Sequence, residues 1–204
     1  MAGVDDIQIL QAVRLKGRVR SADIAAILGH EPEEVAGKMG DLTERGLLLE
    51  GKTIRLSPEG RERLDQLLAD ERSGIDGAAM SAAYGHFRDV NAQFKALIVE
   101  WQLKDGEPNS HVDPEYDAGV LDRLDGIHEN VVPIITAAAS QIPRLNSYAE
   151  KLSAAREKVA AGETTWFTRP LVDSYHTVWF ELHEELMLAT GLTRDAEAKA
   201  GHAQ

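Results

Sequence analysis

Three short stretches near the N-terminus carry hydrophobic residues at helical spacing, and the pattern predicts three helices. The first helix ends just before Gly17. The second, SADIAAIL, begins at the natural N-cap residue Ser21 and ends at Gly29. The third begins at Pro32, which suits the first turn of a helix. The apolar positions of the first and third helices are Val4, Ile7, Ile9, Leu10 and Val13, and Val35, Met39 and Leu42.

The segment LLLEGKTIRLSPEG predicts a β-hairpin followed by another helix. Two strands, residues 47–50 and 53–56, flank the dipeptide GK, which suits a two-residue turn with glycine first. Ser57 and Pro58 then begin a helix whose leucines recur at helical spacing. The first part of the chain is therefore expected to contain short helices and one small hairpin.

Beyond residue 80 the hydrophobic pattern changes to four longer stretches with alternating three- and four-residue steps. Such steps form the packing seam of helices in a bundle. Pro143 and Pro170 stand where the third and fourth helices are expected to begin, and KDGEPNSHVDPEY and AGETTWFT are typical of loops. The stretches contain Ala83, Phe87, Val90, Phe94, Leu97 and Trp101; Val120, Leu124, Ile127, Val131, Ile134 and Ala138; Leu145, Tyr148, Leu152, Ala155 and Val159; and Leu171, Tyr175, Val178, Leu182 and Ala189.

The change of pattern predicts two domains in a mainly α protein. ERSGIDGAAM, residues 71–80, has few large apolar side chains and marks the boundary. We predict an N-terminal domain over residues 1–75, with three helices and a small β-hairpin. An all-α domain similar to a four-helix bundle is predicted over residues 76–204.

Composition and charge restrict the function. The net charge is −12, of which −3 lies in residues 1–70 and −9 in residues 71–204, so DNA binding would need a local basic surface. The chain has no cysteine, which excludes disulfides and thiolate chemistry. The N-terminus does not read as a signal peptide, and no apolar run of ~18 residues occurs. We therefore expect a cytoplasmic protein.

Four pieces of the first domain carry a family resemblance: SADIAAILG, EEVAGKMGDLTERGLL, the hairpin, and RLSPEGRERLDQLL. In this order and spacing they resemble the winged helix-turn-helix transcriptional regulators of the MarR and PadR type. The resemblance covers about a third of the chain. It implies a winged-helix fold with the hairpin as the wing, and a homodimer that binds double-stranded DNA with the third helix in the major groove.

The resemblance also implies which residues contact DNA. Lys52 and Arg55 on the wing would meet phosphate. Glu31, Glu33 and Glu34 crowd the first turn of the third helix, where acids favour the helix dipole but would lie close to DNA phosphates. The predicted DNA-binding residues are Arg18, Arg20, Ser21, Lys38, Asp41, Arg45, Lys52 and Arg55.

Histidines supply the candidate chemistry of the second domain. The fourth helix is apolar on two neighbouring stripes, so it is expected to be central, to line a ligand pocket or to form a dimer contact. His176 and His183 are ~10 Å apart along this helix, too far to share one metal ion. Buried or interfacial histidines are the main interpretation, and contact with a metal or an anionic effector is the alternative. The residues predicted to bind an effector are His128, Tyr175, His176, Trp179 and His183, with no metal ligand and no cofactor assigned.

No catalytic motif is present: the chain has no glycine-rich phosphate loop, no Gly-x-Ser-x-Gly elbow and no His-Glu-x-x-His. We predict a DNA-binding transcriptional regulator, not an enzyme, that acts as a homodimer and responds to a small ligand. The alternative is a winged helix used for protein contact, as the regulatory module of a larger assembly without DNA binding. A metal- or ligand-dependent enzyme in the bundle is a third hypothesis.

Overall fold

The computed structural model describes residues 3–170 and 172–193, and Glu197. The chain is mainly helical and divides into two compact units, Met1–Gly74 and Ile75–Gln204. Several residues of the predicted elements lie outside the described part: Met1, Ala2, Leu171, and the predicted second domain's residues 194–196 and 198–204.

The first unit contains four helices and one small hairpin among its described residues. α1 begins with a capping box, because Asp5 accepts from the Gln8 amide while the Gln8 side chain accepts from the Asp5 amide. Gly17 ends α1 with φ 70°, a conformation that favours glycine. The elements are α1 (Asp6–Lys16), α2 (Ser21–Leu28), α3 (Pro32–Glu44), β1 (Leu48–Leu49), β2 (Arg55–Leu56) and α4 (Pro58–Ser73).

The two helix caps predicted in the first unit have opposite outcomes. Ser57 caps α4 as predicted, since its Oγ accepts from the Gly60 amide at 2.8 Å. The predicted cap Ser21 is wrong, because Arg20 occupies the N-cap position without a side-chain cap bond. Arg20 instead binds the carboxylate of Asp23 in the first turn of α2, and Ser21 is the first helical residue.

The predicted two-residue turn of the hairpin is also wrong. Leu48 pairs with Leu56 and Leu49 with Arg55, so residues 50–54 form a five-residue connection. Within that connection, Ile54 forms an antiparallel bridge with Val19, which precedes α2. This register turns Leu48, Ile54 and Leu56 inward together, whereas a slip of one residue would turn one strand's leucines outward.

The second unit contains the four predicted long helices and several short elements that were not predicted. The all-α prediction is wrong in one detail. The loop after α5 contains two strands of two residues each, and they pair as a hairpin. Pro143 begins a 3₁₀ turn rather than a long helix. The elements are α5 (Gly77–Gln102), β3 (Leu103–Lys104), β4 (Glu107–Pro108), α6 (Pro114–Ala139), a 3₁₀ turn (Pro143–Asn146), α7 (Ser147–Ala160), α8 (Thr165–Thr168) and α9 (Tyr175–Ala189).

Helix α9 lies inside the second unit. It begins at Tyr175, after the N-cap residue Ser174, and not at the predicted Pro170. Its side chains Tyr175, Trp179 and Leu186 are fully buried, and the helix packs against α5, α7 and α8. Both apolar stripes of α9 are therefore used within its own unit. In the described part of the chain, no helix is both long and apolar enough to cross a membrane.

Candidate functional site

The bridge between Val19 and Ile54 determines where the predicted wing cations lie. Both bridge residues are buried, so their neighbours Arg18 and Arg55 point to the opposite, solvent side. Arg18 precedes Val19 and Arg55 follows Ile54, so the two cations flank the same end of the bridge. Lys52 is exposed in the connection. Among the described residues, the structure shows no ion pair for these three cations.

Two other predicted cations, Lys38 and Arg45, bind a carboxylate of the first helix. Lys38 Nζ lies 2.7 Å and Arg45 Nη1 lies 3.0 Å from the carboxylate of Asp6. Burial by itself would raise the pKa of Asp6, but the hydrogen bonds and charges of Lys38 and Arg45 outweigh burial and hold the pKa below its ordinary value. These two cations therefore join α3 to α1.

Of the remaining predicted DNA-binding residues, Arg20 and Asp41 each form an ion pair, and Ser21 lines a groove. Arg20 makes two 2.7 Å hydrogen bonds to Asp23, and Asp41 accepts from Arg45 at 2.9 Å. Ser21 lines an apolar groove of about 380 Å³ between α2 and α3. The floor of this groove is apolar, and its lining includes Ala25, Pro32, Val35, Ala36, Met39 and Gly40.

The solvent face of α3 is acidic. Val35, Met39 and Leu42 face the core, so Glu33, Gly37 and Glu44 lie on the opposite side of the helix and are exposed. The two cations of α3 are held at its α1 side by Asp6. The helix that the resemblance places in the major groove thus presents carboxylates and glycine to solvent.

In the second unit, His128 is held between α6, α7 and α9. Its Nδ1 lies 3.2 Å from the Tyr175 hydroxyl, and its Nε2 lies 3.3 Å from the Ser153 hydroxyl. Burial lowers the pKa of His128, and the nearby charge of Arg156 lowers it further. The neutral imidazole is therefore favoured in the folded protein. Burial likewise raises the pKa of Tyr175.

His183 belongs to a different group of polar side chains. The Tyr84 hydroxyl donates to Glu197 Oε2 at 2.6 Å and lies 3.1 Å from His183 Nε2. Because the single hydroxyl proton goes to the carboxylate, Nε2–H of His183 donates to the Tyr84 oxygen. Burial raises the pKa of Tyr84, and its hydrogen bond to Glu197 adds to this effect.

Aromatic rings connect the two histidine sites. Trp179 lies 5.9 Å from Tyr175 between ring centroids, and its Nε1 donates to the buried Asn91 side chain at 2.8 Å. His176 packs 6.0 Å from the Phe94 ring, and burial lowers its pKa. Among the residues predicted to bind an effector, His128 and Tyr175 are therefore in hydrogen-bond contact. His183 and His176 do not belong to that contact. Among the described residues, no group of three or more His, Asp or Glu side chains is arranged to hold a metal.

The sequence analysis missed a buried ion pair on α9. Glu185 is 2% exposed, and its Oε1 accepts from Arg144 at 2.7 Å and from the Tyr148 hydroxyl at 3.3 Å. Glu185 Oε2 is buried and has no hydrogen-bond partner among the described residues. The two apolar stripes on α9 were the signal from which this buried pair could have been predicted. A helix that is covered on most of its surface buries its glutamates as well.

Comparison of the chain with protein-family models, with curated proteins and with solved structures finds no match. The function is therefore inferred from the residues described above.

Proposed function

We propose that this protein is a DNA-binding transcriptional regulator that contacts its operator through the hairpin of the first unit. The observation that carries the proposal is the position of Arg18 beside Arg55 across the Val19–Ile54 bridge. A phosphate bound between two guanidinium groups forms charge-assisted hydrogen bonds with both. Lys52 on the same hairpin adds a third phosphate contact.

The order of the elements supports the same proposal. Three helices are followed by a hairpin, and the hairpin is joined to the segment before α2 by one bridge. This is the arrangement expected of a winged helix of the MarR and PadR type, in which the hairpin is the wing. In this proposal the second unit supplies a homodimer contact and the site for a small effector, and the protein acts in the cytoplasm.

The number of residues available for phosphate contact sets how steeply the DNA affinity should fall as salt increases. Arg18, Lys52 and Arg55 give three contacts per protomer, or about six per dimer, and the slope of log K against log salt is then about −5. Lys38 and Arg45 do not add to this number, because Asp6 already binds them.

Selection of genomic DNA fragments by the purified full chain, at low and at moderate salt, tests the proposal. We expect enrichment of a palindromic site with half-sites ~34–36 Å apart, as a two-fold dimer requires. Binding should weaken steeply as salt increases. A folded protein that enriches no fragment at either salt concentration would end the DNA-binding proposal.

A second candidate function is carried by the acidic face of α3. Glu33 and Glu44 are exposed there, and they would approach DNA phosphates if α3 entered a major groove. This face suits a basic protein surface, so the first unit would act as the regulatory module of a larger assembly. Recovery of one stoichiometric protein partner that is lost with Glu33→Lys plus Glu44→Lys, but kept with Lys52→Glu plus Arg55→Glu, would favour this function.

A further inference from the structure

One surface of the second unit is a long groove between α5 and α6. Its two segments have volumes of about 480 and 600 Å³ and meet at Gln93 and Asn130, which line both. The α5 wall follows alternating three- and four-residue steps, the spacing of a helix-packing seam. The residues of this stripe are Ala79, Ala82, His86, Asp89, Gln93, Ala96 and Glu100.

The exposed side of α5 lacks the charges of an ordinary solvated helix. Asp89 is the only Asp, Glu, Lys or Arg among the exposed positions of α5, although the helix contains 26 residues. Helix α4, with 16 residues, carries six charged residues at exposed positions. Half-buried Glu100, at the end of the groove, binds Arg123 of α6. The α5 wall of the groove therefore carries little charge and has alanine at three of its seven positions.

The α6 wall of the groove is uncharged except at one end. Gly126, Asn130, Pro133 and Ala137 line most of it beside the buried Ile127 and Ile134, and Asp122 and Arg123 line the end near Glu100. Side chains of this size allow the backbone of another helix to approach closely. The groove is therefore shaped for a helix with a similar stripe.

We propose that the α5 stripe of a second copy of this chain occupies the groove, with the two α5 helices antiparallel about a two-fold axis. The stripe is self-complementary in this orientation, as an isologous interface requires. An axis that passes between His86 and Asp89 pairs the first six positions of the stripe with one another, and only Glu100 lies beyond the paired region. The opposed pairs are Ala79 with Ala96, Ala82 with Gln93, and His86 with Asp89, and each pair occurs twice.

Charge and area both suit this occupant. The single exposed carboxylate of the stripe, Asp89, lies opposite the partner's His86 rather than opposite its own copy. Helices of 26 residues are ~39 Å long, and two of them side by side are ~20 Å wide. The whole face of these two helices is then about 800 Å² per protomer, so a dimer that covers most of it reaches the area of a standard interface. The inference deepens the proposed function, because it names the contact that forms its homodimer.

Sedimentation of the full chain without DNA, over a concentration series, tests the interface. We expect a dimer, and we expect Ala82→Glu to raise its dissociation constant at least about tenfold. The matched control is Ala154→Glu, which makes the same change at an exposed position of α7 and should leave the constant unchanged. A monomer at every concentration, or equal effects of the two variants, would overturn the inference.

A charge exchange tests the antiparallel register. His86→Asp alone places two carboxylates opposite each other, and Asp89→Lys alone places a cation opposite histidine, so each should weaken the dimer. The double variant places a carboxylate at position 86 opposite a cation at position 89 of the partner. It should therefore regain most of the affinity of dimerisation. A double variant as weak as the two single changes combined would overturn this register. DNA selection by a monomer would refute this interface alone, whereas a dimer that selects no DNA would refute the proposed function alone.

Discussion

Arg144 donates to Glu185 at 2.7 Å in the interior of the second unit, and the side chains of the two residues are 13% and 2% exposed. The pair joins the 3₁₀ turn before α7 to the middle of α9. Burial of Glu185 also affects Tyr148, whose pKa lies well above its ordinary value because of burial and the nearby carboxylate. This turn is therefore attached to α9 by a buried ion pair.

Removing one partner of this pair should cost more stability than removing both. Arg144→Met leaves Glu185 buried without its cation, and we expect a loss of about 3–5 kcal/mol in the free energy of unfolding. The double variant Arg144→Met with Glu185→Met should recover part of that loss, since the buried carboxylate that Arg144 compensates is removed with it. Urea unfolding of both variants measures the difference. Equal destabilisation would show that the pair acts through shape alone.

The stability of the protein should decrease in mild acid because of two histidines. Burial lowers the pKa of His128 and of His176 in the folded state, whereas the unfolded chain titrates near the ordinary value of about 6.5. The unfolded state therefore binds more protons as the pH falls through that value, and the free energy of unfolding decreases. Urea unfolding between pH 7.5 and 5 should show this slope, and His128→Gln with His176→Phe should flatten it. An unchanged slope would contradict the assignment.

Gly60 should tolerate no side chain. A Cβ atom built there would lie 2.0 Å from the carbonyl oxygen of Leu47, because the first turn of α4 rests on the chain that enters β1. We expect Gly60→Ala to destabilise the protein by at least about 1–3 kcal/mol. The control, Gly37→Ala on α3, meets no atom within 4 Å and should stabilise by about 0.4–1 kcal/mol. Thermal unfolding of both variants tests the prediction, which fails if they shift in the same direction.

Charge reversal on the hairpin should weaken DNA binding and flatten its salt dependence. With Lys52→Glu and Arg55→Glu, the contacts per dimer fall from about six to about two, so the slope changes from about −5 to about −2. Arg61→Glu with Arg63→Glu makes the same net charge change on α4 and should leave the slope much closer to the original. Fluorescence anisotropy of labelled DNA over a salt series measures this slope for each variant. The same loss in both variants would indicate a general field effect and not a wing contact.

Neutralising Asp6 should release Lys38 and leave Arg45 bound only to Asp41. Asp6→Asn keeps the shape of the side chain but removes the charge shared by Lys38 and Arg45. We expect tighter DNA binding and a steeper salt slope, together with a small loss of stability where α1 meets α3. The control is Asp125→Asn, which breaks an ion pair with Arg156 in the second unit and should leave the slope unchanged. If Asp6→Asn also leaves the slope unchanged, Lys38 does not reach DNA even without its Asp6 partner.

The long helices could be predicted from the sequence because their signals are local. Spacing of apolar residues, Pro32 at a helix start and Ser57 at a cap depend only on nearby positions. The turn of the hairpin could not be predicted in this way. Its register depends on Ile54 pairing with Val19, which is distant in sequence.

The sequence by itself determined the mainly helical composition, the positions of the long helices and the small hairpin, since these follow from periodicity and local capping. Only the tertiary structure decided which charges meet. It placed Asp6 against Lys38, set Arg18 beside Arg55, and enclosed Glu185 with Arg144. Such contacts depend on distances between helices and strands that are far apart along the chain, and residue spacing carries no information about those distances.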